Sequence, residues 1–135
     1  MARQQERVIV LPLAAVDTAG GVVAMRLAHD ATLPAGARVA ITRVILDVTT
    51  KATAACTLDV GIANDGVTSN DALLDGVDVG TAAGVFDNIE NKGTNGKARQ
   101  TATVGQFVTA SKATGAAAGL VGTIAVCYIP LGLYN

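Results

Sequence analysis

Tryptophan is absent from this chain, and only two Phe and two Tyr stand among its 135 residues. Sites for sugars and single-stranded nucleic acids stack their ligands on aromatic rings. Phe86, Phe107, Tyr128 and Tyr134 are too few and too scattered to build one. Histidine occurs once, as His29 beside Asp30. One imidazole cannot supply a multi-histidine zinc site, and nothing in the sequence pairs it for acid–base work, so a solvated histidine at a strand end is expected. There are two cysteines, Cys56 and Cys127, with no Cys-x-x-Cys pair. That spacing gives no support to zinc or thioredoxin-type chemistry. Either they are two small buried side chains, or they form one disulfide between layers, which needs Cα atoms within about 7 Å.

Charge of one sign is lacking too. Ten Lys and Arg balance eleven Asp and Glu, for a formal net charge of −1. No basic face is implied, so a direct nucleic-acid partner is not expected. Arg3 and Arg7 are the nearest approach to a basic tip. The first seven residues are polar, and the apolar run after them is short and broken by Pro12, so no signal peptide is expected. The longest apolar and small-residue stretch, 115–133, contains Gly119, Gly122, Thr123 and Pro130. It reads as a strand rather than a membrane span, which needs about 20 apolar helical residues.

What the chain does have is half its residues apolar, almost all aliphatic. β-branched and aliphatic side chains suit pleated strands. Leu58, Val60 and Ile62 alternate with Thr57, Asp59 and Gly61, and Val44, Leu46 and Val48 do the same against Arg43, Asp47 and Thr49. Such alternation gives a strand one apolar and one polar face. The apolar parity changes between Ile41 and Val44, which predicts a bulge or bend. Strands are predicted over 7–13, 22–28, 39–50, 56–63, 98–103, 106–112 and 119–131, with turns at Gly20-Gly21, Leu33-Pro34-Ala35-Gly36 and Asn64-Asp65-Gly66. Asn70 or Asp71 could cap one helical turn. Residues 75–97 are rich in Gly, Asn, Asp and Thr and are expected to form a long loop, of a length that is usually functional. About eight antiparallel strands at this spacing predict one all-β sandwich domain over 7–135 with a flexible polar arm over 1–6. Eight strands in two layers is the jelly-roll number. The alternative, an immunoglobulin-like sandwich, lacks its Cys–Trp–Cys pattern here.

No reactive constellation emerges. Asp59, Asp65, Asp71, Asp75, Asp78 and Asp87 form a loose acidic series. They suit turns and strand edges better than calcium, because the EF-hand spacing and its closing Glu are missing. A glycosidase carboxylate pair would come with sugar-stacking aromatics. Ser69 and Ser111 lie in no Gly-x-Ser-x-Gly elbow. Gly93-Thr94-Asn95-Gly96-Lys97 departs from the phosphate-loop pattern, because Ala98 follows the lysine. An enzyme is not expected, nor any cofactor.

Residues 71–126 carry a recognisable run. It comprises Asp-Ala-Leu-Leu-Asp-Gly-Val-Asp-Val-Gly-Thr-Ala-Ala-Gly-Val-Phe-Asp-Asn-Ile, then Lys-Gly-Thr-Asn-Gly-Lys-Ala-Arg-Gln. Phe107–Gly115 and Ala118–Thr123 follow. Together these resemble small structural proteins of tailed bacteriophages, whose best-understood members are jelly-roll head decoration, or cement, proteins. The resemblance covers a little under half the chain. It implies a virion component made in the host bacterial cytoplasm and bound to the outer capsid surface. Its implied partner is the major capsid protein, often with the decoration protein as a homotrimer. A head spike, a fibre or other receptor- or glycan-binding module, and a tail or connector component are the alternatives. Two segments are candidate contacts. One is the arm with Arg3, Gln4, Gln5 and Arg7. The other is the long loop with Val79, Val85, Phe86 and Ile89, although those four could instead cap the open end of the sandwich.

Overall fold

The computed structural model describes residues 6–14, 16, 23–27 and 33–131. Among them are nine strands: β1 (Arg7–Pro12), β2 (Val23–Arg26), β3 (Arg38–Thr50), β4 (Cys56–Ala63), β5 (Leu74–Asp78), β6 (Gly84–Asp87), β7 (Gln100–Thr103), β8 (Phe107–Gly115) and β9 (Val121–Pro130). All strand pairings are antiparallel. One sheet runs β1-β9-β3-β6, with β7 also on β3, and the other runs β2-β8-β4-β5. The fold is an all-β sandwich, as its alternating strands predict.

The core lies between the sheets. Val39, Ile41, Val44, Leu46 and Val48 of β3 face Cys56, Leu58, Val60 and Ile62 of β4, with Ile124, Val126 and Tyr128 of β9 beside them. Aliphatic side chains fill nearly all of it, and Tyr128 is its one buried aromatic among the described residues. Cutting a buried leucine such as Leu46 or Leu58 to alanine in so tight a packing costs about 2–5 kcal/mol. The parity change in β3 is a bulge: pairing with β9 shifts between Ile41 and Arg43. Thr42, squeezed out there, donates its hydroxyl to the Cys127 carbonyl at 3.2 Å.

Two expectations are corrected. Residues 75–97 are not one loop, because β5 and β6 lie within them. Both strands are short and interrupted by glycine and aspartate, which hides them from a propensity reading. Residues 70–74 form no helical turn. The Asn70 side chain does cap the local backbone, accepting from Ala72 N at 3.0 Å and Ile62 N at 3.2 Å, but the chain then enters β5. The 34–37 turn is present, with Ala37 N donating to Pro34 O at 3.1 Å. The Gly20-Gly21 turn, His29 and most of the arm lie outside the described residues.

β3 has 13 residues against four each in β6 and β7, its neighbours on one side, and this shapes the first sheet. One side pairs with β9 along its whole length. The other side is shared: Arg38–Ile41 pairs with β7, and Ile45–Val48 pairs with β6. Asn88 fills the gap between them. Its backbone N donates to Val44 O at 3.3 Å, and its Oδ1 accepts from Val44 N at 2.8 Å. Its Nδ2 donates to the carbonyls of Lys97 and Ala98 at 3.0 and 3.1 Å. A carboxamide has the donor and acceptor of a peptide unit, so this side chain substitutes for a missing strand residue.

Candidate interaction surface

The sandwich scatters the sequence-derived contact residues. Arg3, Gln4 and Gln5 lie outside the described residues. Arg7 opens β1 opposite Tyr128, partly buried. Val79 is no surface residue: it is 0% exposed. Its N–H donates to Cys56 O and its carbonyl accepts from Ala52 N, both at 3.0 Å, so the chain leaving β5 is clamped and the side chain turns into the core. Phe86 packs against the core from within β6, paired with Leu46. Val85 and Ile89 are exposed, at 68% and 48%. Of the four loop candidates, only these two are free to meet a partner.

The larger apolar surface is on the outer side of the first sheet. Strand register sets it out in rows. Val8 of β1 lies opposite Cys127 of β9, which lies opposite Arg43 of β3. Val10, Ala125, Ile45 and Asp87 form the next row, and Pro12, Thr123, Asp47 and Val85 the one after. Val8 and Val10 are 56% and 50% exposed. Sequence reasoning missed this face, although a signal existed. Val8-Ile9-Val10-Leu11 and Ile124-Ala125-Val126-Cys127 are apolar at every position rather than every second one. A strand of that kind is apolar on both faces.

The cysteines stand on opposite sides of this sheet. Cys56 belongs to the core, whereas Cys127 points outward and is covered by its neighbours. Both are free thiols, and their opposed directions rule out the inter-sheet disulfide. Burial raises both thiol pKa values, and at Cys127 a hydrogen bond to the Glu6 carboxylate raises it further. Glu6, at the end of the 1–6 segment, thus meets the outer side of the first sheet at Cys127.

The outer side of the second sheet is polar, and its carboxylates are spent on their own loops. Asp65 accepts from Val67 N, Thr68 N and the Thr68 hydroxyl at 3.0, 2.7 and 2.9 Å. Asp78 repeats the pattern with Gly80 N, Thr81 N and the Thr81 hydroxyl at 2.9, 3.1 and 2.6 Å. Asp87 of the first sheet does the same with Ile89 N and Glu90 N, both at 2.9 Å. These donors lower the pKa of all three, since hydrogen bonds to the charged form favour it. Asp59 moves the other way: burial raises its pKa, the Gly76 N–H bond offsets this in part, and Asp75 and Asp71 add to the rise. Asn95 ties those two to the 92–97 loop, its N–H to Asp75 at 3.0 Å and its Nδ2 to Asp71 at 2.9 Å.

The 64–72 connection lies across this side. A Cβ on Gly61 would sit 2.0 Å from Asn70 Oδ1, so only glycine admits the loop. Beside it is a cleft of about 310 Å³ lined by Asn64, Asp65, Thr68, Asn70 and Gln106. Its polar atoms largely bond one another: Gln106 Nε2 donates to Asn64 Oδ1 at 2.7 Å, and Gln106 Oε1 accepts from Thr103 N at 2.8 Å. Among the described residues no group of three or more His, Cys, Asp or Glu is placed to hold a metal ion.

No protein-family model, curated protein or solved structure matches this chain.

Proposed function

We propose that this chain is a structural protein of a tailed-phage head, a decoration protein that binds the outer capsid surface and stabilises the expanded shell. The single observation that carries this is the division of labour between polar and apolar side chains. The acidic residues hold loops, the loops hold two sheets, and the surface left over is apolar and exposed. That is a rigid body built for contact, not a site built for reaction.

The winding supports it. The hydrogen-bonded pairs β1–β9, β2–β8, β3 with β6 and β7, and β4–β5 are nested. Such nesting is one long hairpin, with its tip between β4 and β5, rolled into two sheets. We read it as a jelly roll, the architecture of many virion proteins. Val85 and Ile89, with Arg3, Gln4 and Gln5, are the proposed contacts to the major capsid protein. Attachment of linked copies, as trimers in the assembly the resemblance implies, adds avidity because later contacts become intramolecular. Selective binding to expanded shells stabilises that state by mass action.

The test is co-sedimentation of purified protein with expanded undecorated capsids and with unexpanded procapsids. Saturable binding at hundreds of copies, selective for expanded shells, is the expected result. Failure to bind either particle refutes the reading and turns attention to a spike, fibre or tail position.

A further inference from the structure

We infer that the free edge of β1 takes a strand from the shell: an extended, uncharged segment of the capsid protein adds to the first sheet beside Val8 and Val10. The inference rests on the capsid reading. Hydrogen bonding decides which backbone groups are free. One residue beyond the pair Pro12–Thr123, Leu13 N donates to Gly122 O at 3.0 Å. Hydrogen-bonded pairs alternate along an antiparallel ladder. Leu11–Ile124, Ile9–Val126 and Arg7–Tyr128 therefore exchange bonds, and the N–H and C=O of Val8 and Val10 point away from β9. Two observations agree. Pro12 falls where an N–H would point outward, the place where an edge strand tolerates proline. Carried across β9, the same alternation turns the Val44 backbone away from β9, and there Asn88 meets it on the other side of β3. No described residue bonds the outward groups of Val8 and Val10.

The other edges are short, charged or capped. At β6, Asp87 N donates to Asn91 Oδ1 and Asp87 O accepts from Asn91 N. At β7, Gln106 does the same for Thr103, its Oε1 accepting from Thr103 N and its N–H donating to Thr103 O. At β5, Asp75 N donates to Lys92 O. β2 has four residues and carries the exposed Arg26. β1 has six, and the four between Arg7 and Pro12 are all apolar. Natural sheets blunt such an edge because it invites another chain to pair with it. Here it is left open.

The free groups select the occupant. Val8 and Val10 offer two donors and two acceptors at a two-residue repeat, which an extended backbone matches. The side chains beside them are neutral, so the segment is uncharged there. Val8 and Val10 are half-exposed on the outer face, and Met25, on the core-facing side of β2 beside buried Val108, is still 39% exposed. An added strand thus finds apolar surface for the side chains on both its faces. Val85, a proposed shell contact, shares the row of Pro12 three strands away. That is about 14 Å, so one contact of about 800 Å² a side takes in both. A second copy's β1 would match the same groups, but it makes a two-chain particle, at odds with the trimer.

Hydrogen exchange of the full chain, free and bound to expanded undecorated capsids, reads the edge directly. In the free protein the Val8 and Val10 amides should exchange fast, while those of Ile9 and Leu11, bonded to β9, are protected. On saturated shells the two fast amides should slow at least about tenfold. Val8→Pro and Val10→Pro each remove an outward N–H that the ladder to β9 does not use. Circular dichroism should show the sandwich intact, while affinity for the shell falls at least about tenfold, with three edges lost per trimer. Should a proline variant fail to fold, exchange in the unmodified chain decides. Binding with Val8 and Val10 still exchanging fast overturns the inference and leaves the capsid reading standing, as do folded proline variants that saturate shells unchanged. Failure to bind expanded capsids overturns both. A free two-chain particle with these amides already protected gives the edge to a second copy and overturns the inference too.

Discussion

Asn88→Ala is the most revealing single change in the body of the fold. Asn88 is 0% exposed, and its side chain makes three hydrogen bonds: one from Val44 N and two to the carbonyls of Lys97 and Ala98. Truncation leaves the Val44 N–H without a partner beside a fully buried residue. An unsatisfied buried donor costs about 1–3 kcal/mol. The two carbonyls belong to exposed residues, so water can replace their donors and each loses only the net worth of a hydrogen bond, about 0.5–1.5 kcal/mol. The total is about 2–6 kcal/mol, a large fraction of the 5–15 kcal/mol typical of a domain. Urea unfolding followed by far-ultraviolet circular dichroism measures it. Hydrogen exchange at the Val44 amide provides the local readout and should accelerate beyond what global destabilisation explains. Asn91→Ala, an exposed position whose Oδ1 accepts from Asp87 N, should cost well under half as much. Asn88→Asp keeps the acceptor for Val44 but turns an anion towards two carbonyls, so it should be at least as damaging as alanine. A loss below about 1 kcal/mol for Asn88→Ala, smaller than one unsatisfied donor should cost, or a well-tolerated Asp, would refute the idea that this side chain closes the sheet.

Two further changes test the electrostatics and the backbone. The Asp59 carboxyl pKa is raised in the fold, so its ionised form is disfavoured there relative to the unfolded chain. Asp59→Asn keeps an acceptor for Gly76 N–H and should raise the melting temperature at pH 7 but not at pH 3, where the native carboxyl is already protonated. The sign is opposite for Asp65, Asp78 and Asp87, whose pKa values are lowered. Their contribution is present above the unfolded carboxylate pKa and is lost as pH falls through their folded values, so the midpoint in the Asp59→Asn variant should decline on acidification below about pH 4. Gly115→Ala is the backbone test: φ is +81° and a Cβ would meet Ala55 O at 1.9 Å. Left-handed strain of about 1–3 kcal/mol adds to the displacement of backbone, and an unchanged melting temperature would show that the end of β8 yields freely.

How far the sequence carried depended on burial pattern. β4 was legible to the residue, Cys56–Ala63, because it alternates and is bounded by turn formers. The β3 bulge was legible because a parity change has one structural meaning. β5 and β6 were not legible. Asp75, Gly76, Asp78 and Gly84 are poor strand formers, and their pairing is imposed by neighbours distant in sequence. Val79 was misplaced for the same reason, since its clamp to Ala52 and Cys56 is a tertiary fact. Asn88 gave no signal, because an asparagine among glycines and aspartates reads as loop until the gap beside β3 is seen. The outer apolar face was present in the text of β1 and β9, but an apolar residue at every position does not say which ones face the core.

The nested pairing also governs when the molecule can come into being. β9 lies between β1 and β3, so the first sheet has no middle until residues 121–130 have left the ribosome. Arg7 waits for Tyr128, and β3, made early, has neither β6, β7 nor β9 to bond. Pairings between such distant segments fold slowly and leave strand edges exposed meanwhile. The sandwich therefore cannot close before β9 has emerged, and a chain halted short of it would present bare edges to every other copy in the cell.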